Sequence, residues 1–105
     1  MNEPYTYTLT PSASQDLDDA LRYISEKLCA KESALRLLDS IQAAIEKACR
    51  FPHAITPVND KLLKARGYRK LIVGNYLVLL IPDDQKRVLN IMRVVYFAKD
   101  YLREL

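Results

Sequence analysis

The sequence predicts an α+β domain of order β-α-α-β-β-β, with an antiparallel sheet and a helical hairpin packed on one of its faces. Three observations carry that expectation. Two stretches in the first half repeat apolar residues with a 3.6-residue period. The second half switches to β-branched and aromatic runs. Those runs are separated by Gly74-Asn75 and by residues 82–86, connections too short for anything but antiparallel hairpins. The chain has 105 residues, is 50% hydrophobic and contains 2 glycines, so it suffices for one core and one domain spanning 1–105.

Each element follows in order. Residues 5–9, Tyr-Thr-Tyr-Thr-Leu, alternate in the manner of a half-buried strand. Thr10-Pro11 then supplies a cap followed by proline at the first helical position, and Asp16, Asp18 and Asp19 crowd the first turns, where the helix dipole favours anions. Ala13, Leu17, Ala20, Leu21, Ile24 and Leu28 form one apolar stripe. Ala34, Leu38, Ile41, Ile45 and Ala48 repeat it over a second helix at 31–49, which Phe51-Pro52 ends. Residues 52–60 read as a loop. Three strands follow at 68–73, 76–81 and 87–96, and the tail 98–105 has room for one or two helical turns. Each helix has a single apolar stripe, so together they cover one face of a sheet built from the meander plus the first strand. Along 87–95 neither the odd nor the even positions are cleanly polar, which predicts that the other sheet face is also largely covered.

Composition narrows the chemistry. Lys plus Arg number 16 and Asp plus Glu 13, a net charge of +3, but residues 1–56 carry −2 and residues 57–105 carry +5. Five cations and no acid lie within 61–70, enough to attract a polyanion. The longest apolar run, 77–81, is far short of a bilayer span and the first ten residues do not read as a secretion signal, so no membrane partner and a cytoplasmic location are expected. Only Cys29 and Cys49 are present, both in stretches that read as helical. Burial there would make them inert, and two cysteines with one histidine build no disulfide framework or four-ligand zinc site. Phosphate-cradling glycine motifs and the serine-hydrolase elbow are absent. No metal or cofactor is expected, and His53, the only histidine, leaves a single imidazole in a loop.

The chemistry that remains is cationic and phenolic. Lys61, Lys64, Arg66, Arg69 and Lys70, then Arg93, Tyr96, Lys99 and Tyr101, are residue types that suit a phosphodiester site. RNA cleavage through the 2′-hydroxyl needs a base, cations for the charge on phosphorus and an acid for the leaving oxygen. Lys61, Lys64, Arg69, Arg93 and Tyr101 are the candidate catalytic residues, and Arg66, Lys70 and Lys99 the candidate phosphate contacts. A lysine serves as base only if neighbouring charge lowers its pKa.

The element order, with Phe51-Pro52, Gly67-Tyr68-Arg69-Lys70-Leu71, Asn75-Tyr76, Arg93-Val-Val-Tyr96 and Lys99-Asp100-Tyr101, resembles the RelE/ParE family of toxins from bacterial type II toxin–antitoxin systems, of the kind associated with plasmid stabilisation, over nearly the whole chain. The resemblance implies an acidic, partly disordered antitoxin as partner. It also implies one of two targets: RelE-like members cleave mRNA on the ribosome, whereas ParE-like members poison DNA gyrase. On the resemblance, the chain is expected to be a ribosome-dependent mRNA interferase, with gyrase inhibition without catalysis or an inactive antitoxin-binding relative as alternatives. Carried over by position, Arg69 and Lys70 match the family's basic residues at the strand start, Lys99-Asp100 its basic-acidic pair and Tyr101 its C-terminal tyrosine. The chain departs from the pattern at Leu77, where an arginine that contacts the scissile phosphate is usual in the nucleases, and at Ala98, where a second basic residue is common.

Overall fold

A computed structural model describes residues 3–97. The elements are β1 (Thr6–Leu9), α1 (Pro11–Arg22) continued by a π-turn (Tyr23–Lys27), α2 (Lys31–Arg50), a 3-10 turn (Pro52–Ala54), β2 (Thr56–Pro57), α3 (Lys61–Ala65), β3 (Arg69–Val73), β4 (Tyr76–Asp83) and β5 (Val88–Tyr96). The α+β class, the helical hairpin and the three-strand meander are as the sequence predicts. The tail at 98–105, with its expected helical turns, lies outside the described residues.

The sheet is mixed, in the order β1-β5-β4-β3-β2. The meander is antiparallel, but β1 joins β5 in parallel, Thr6 opposite Val88 and Leu9 opposite Ile91. This differs from the wholly antiparallel sheet expected. The helical hairpin intervenes between β1 and the meander, so no tight turn ties the direction of β1 to its neighbour. β2 and α3 lie in segments that the sequence alone presents as a loop and a basic run. β2 is two residues long, and α3 is a five-residue helix whose N-terminus is capped by Asp60, its carboxylate accepting from the Leu63 N–H at 2.9 Å.

The helix starts obey local chemistry. Thr10 Oγ1 accepts from the Ala13 N–H at 3.0 Å and Pro11 occupies the first turn of α1. At the other end the chain leaves the π-turn through Cys29 at φ +50°. Cys29 is therefore exposed and between the helices, whereas Cys49 is buried in α2; the expectation that both are buried holds only for Cys49.

The core lies between the hairpin and one sheet face, with Ile41, Val78, Leu80, Leu89 and Ile91 almost fully enclosed. A bulge sets which residues of β5 enter it. Leu79 opposes Arg93 and Leu80 opposes Ile91, so Met92 is an extra residue. The inward set therefore changes from odd numbers, Leu89 and Ile91, to even, Val94. That phase change is why neither parity along β5 looks polar.

Candidate functional site

The bulge also fixes the free edge of β5. β1 pairs only as far as Ile91, and beyond it the backbone of β5 would be orphaned without other partners. The start of α1 supplies them. The Thr10 N–H donates to the Ile91 carbonyl at 3.0 Å and Thr10 Oγ1 to the Met92 carbonyl at 2.9 Å. One turn on, Asp16 accepts from the Val94 N–H at 3.0 Å and from the Arg93 guanidinium at 2.6 and 2.9 Å. The hydrogen bonds from Arg93, with that from Val94 added, hold the Asp16 carboxyl below the usual carboxylate range against the opposing effect of burial.

Beside this clamp opens a groove of about 810 Å³. Its walls are α1, the π-turn and the residue after it, through Asp19, Tyr23 and Leu28, then Leu37 and Ser40 of α2, and the ends of β3, β4 and β5, through Val73, Tyr76 and Tyr96. Tyr76 and Tyr96 meet edge to face with ring centroids 5.5 Å apart, while Tyr23 and Tyr96 are largely exposed. Burial, with Tyr96 and Tyr23 nearby, pushes the Tyr76 phenol up, so it is a neutral hydrogen-bonding group at physiological pH.

The sheet face away from the helices is the other candidate surface. Strand alternation places Ile72, Leu77, Leu79 and Val95 there together with Lys70 and Arg93, Leu77 lying between Ile72 and Val95 in the ladder and Leu79 between Lys70 and Arg93. Leu77 is only 4% exposed, yet it is not part of the cluster under the helices. The position at which the resemblance places a phosphate-contacting arginine is thus a buried hydrocarbon in an apolar row.

The candidate cations divide among several places. Lys61 and Lys64 are exposed on α3, with Arg66 just after it. Arg69 and Lys70 are consecutive in β3 and emerge on opposite faces, Arg69 opposite Leu80 of the core and Lys70 opposite Leu79. The Arg69 guanidinium donates to the Ile55 carbonyl at 2.7 Å, and that of Arg93 turns to Asp16. Lys99 and Tyr101 lie outside the described residues. Asp16, read from sequence only as a helix-start anion, is the polar residue that sequence reasoning missed; its partners are some 77 positions away, beyond the reach of any local pattern.

A family model described as the ParE toxin of the type II toxin–antitoxin system parDE matches residues 7–101. The chain belongs to the ParE toxin family. It is accordingly a type II toxin of the RelE/ParE kind. Two solved structures resemble this ParE-family chain. One is the chromosomal ParDE toxin–antitoxin system of P. aeruginosa, with TM-score 0.71 and 16% identity, covering 90% of this chain and 97% of that one. The other is the RelBE2 toxin–antitoxin complex of Mycobacterium tuberculosis, with TM-score 0.63 and 22% identity, covering 90% and 99%. At those identities the likeness is one of fold. No curated protein matches the chain.

Proposed function

We propose that this ParE-family toxin acts by binding DNA gyrase and does not cleave RNA. The observation that carries the reading is the outer sheet face: where a nuclease needs a guanidinium on the phosphate, this chain has Leu77 at 4% exposure, flanked in the ladder by Ile72 and Val95. A phosphodiester laid over Leu77 meets hydrocarbon, and the cations of that face, Lys70 and Arg93, flank Leu79 two residues further along β4. The pairing of Arg93 with Asp16 supports the same reading, since the resting guanidinium is turned to a carboxylate and not held open for a phosphate. An antitoxin that covers the toxin completes the proposal. The aromatic groove offers it apolar surface, and the cations of 61–70 suit an acidic partner.

Induced expression in growing cells tests the target. Plasmid DNA should lose negative supercoiling, or accumulate gyrase-linked breaks, before incorporation of labelled amino acids falls. Arrest of translation with supercoiling intact would return the reading to mRNA cleavage.

A further inference from the structure

At the other end of β5 from the aromatic groove lies a second cavity, of about 420 Å³. It forms where the last turn of α2, the 3-10 turn and the residue before β5 meet. Arg50, Phe51, His53 and Arg87 line it together with Tyr5, and Glu3 is the one carboxylate among the described residues of its lining. The volume falls within the range of small-molecule sites.

Arg87 is held there by more than chance. Its backbone is left-handed, at φ +58°, a conformation that a non-glycine side chain keeps only when its surroundings impose it. Its carbonyl accepts from the Thr6 N–H at 3.1 Å, its guanidinium lies 4.9 Å from the centre of the Tyr5 ring, and it donates to the Glu3 carbonyl. The Tyr5 hydroxyl donates in turn to Asp84 at 2.8 Å. A guanidinium carries five N–H donors, so one carbonyl leaves most of the fork available and already oriented. Arg50 alone would be accounted for by the carbonyl end of α2. That account does not cover Arg87, which comes from another element, or Phe51, which is 57% exposed at the rim.

We propose that this cavity binds a phosphate-bearing ligand of nucleotide size, with Arg50 and Arg87 on the phosphate and Phe51 against the base. Planar guanidinium forks match phosphate oxygens, and an exposed aromatic face stacks any base. The site is separate from the groove and from the outer sheet face, so its test does not depend on the gyrase reading. The phosphate could come from a free mononucleotide or from the end of a nucleic-acid strand.

Titration of the full-length chain, followed by backbone amide shifts, decides between these. AMP, inorganic phosphate, adenosine, and a short DNA oligonucleotide with and without a 5′-phosphate are the probes. Saturable shifts centred on Arg50, Phe51, His53 and Arg87 with AMP, weaker with phosphate and absent with adenosine, support a free-nucleotide site. The same shifts with the 5′-phosphorylated oligonucleotide and not with AMP assign the site to strand ends. Arg50→Gln and Phe51→Leu, both at exposed positions, should each weaken binding about tenfold, as expected for loss of a charge-assisted hydrogen bond or a stacked ring, with the melting temperature unchanged. No saturable shifts with any phosphate probe, shifts centred elsewhere, or binding indifferent to both substitutions would overturn the proposal.

Discussion

At the scale of single residues, Asp16 does more than its place near a helix start requires. Its ion pair with Arg93 is half exposed on the arginine side, and such pairs contribute about 0–1 kcal/mol. The Val94 N–H that it satisfies matters more, because leaving a buried donor unpaired costs about 1–3 kcal/mol. Asp16→Ala should therefore destabilise the domain by about 2 kcal/mol, and Asp16→Asn, which keeps an acceptor for Val94, by less; urea titration of both variants measures the difference. The folded-state pKa of Asp16 is lowered, so its contribution is complete above the ordinary aspartate value near pH 4. It declines as the pH falls from there through the lowered value, and the difference between wild type and Asp16→Asn should shrink across that interval in acid melts. Cys29 provides a test of opposite sign. Its φ of +50° suits glycine, and Cys29→Gly should stabilise or leave unchanged a position where an L side chain is strained by about 1 kcal/mol. A thiol reagent should modify Cys29 quickly and Cys49 only on unfolding, since burial pushes the Cys49 thiol up. Leu77→Arg would place a charge at a 4% exposed site and should cost about 3 kcal/mol or more, read as a lower melting temperature.

At the scale of elements, what could be read from sequence was what local chemistry decides. The Thr10-Pro11 cap, the two apolar stripes and the meander follow from spacing and turn residues, and Gly74 at φ +59° heads a two-residue turn between β3 and β4. The parallel direction of β1 and the existence of β2 were not legible, because long-range pairing and a two-residue edge strand leave no periodic trace. β5 shows the limit most plainly. A single extra residue, Met92, shifts the inward phase between Ile91 and Val94, so alternation measured across the whole strand averages two patterns. Deleting Met92 leaves Ile91 and Val94 on the same face with one residue between them, as a regular strand requires. That variant should retain a cooperative melt, somewhat weakened by loss of the Thr10 contact. Deleting Leu79 from the unbulged β4 would turn Leu80 outward and should abolish cooperative folding; circular dichroism melts of the two deletions compare them.

For the whole molecule, cationic and apolar side chains share the outer sheet face, where Leu79 lies between Lys70 and Arg93 in the ladder. Five cations within 61–70 suggested one anion-binding surface, but a helix and a strand divide them, and β-alternation sends Arg69 and Lys70 to opposite sides. Residue types were legible in the candidate site; their convergence was not, because it depends on which face each strand position takes. Around position 77, where RNA chemistry would be sought, the outer face is a row of Ile72, Leu77 and Val95, with Lys70 and Arg93 on either side of Leu79 beyond it, and under the proposed function that row contacts protein. The most direct test of that claim is primer-extension mapping of mRNA on programmed ribosomes incubated with the purified toxin, alongside gyrase supercoiling of relaxed plasmid at the same concentrations. No codon-phased cuts are expected at toxin concentrations that inhibit supercoiling. Codon-phased cuts on ribosome-bound mRNA, with gyrase unaffected, would contradict that claim.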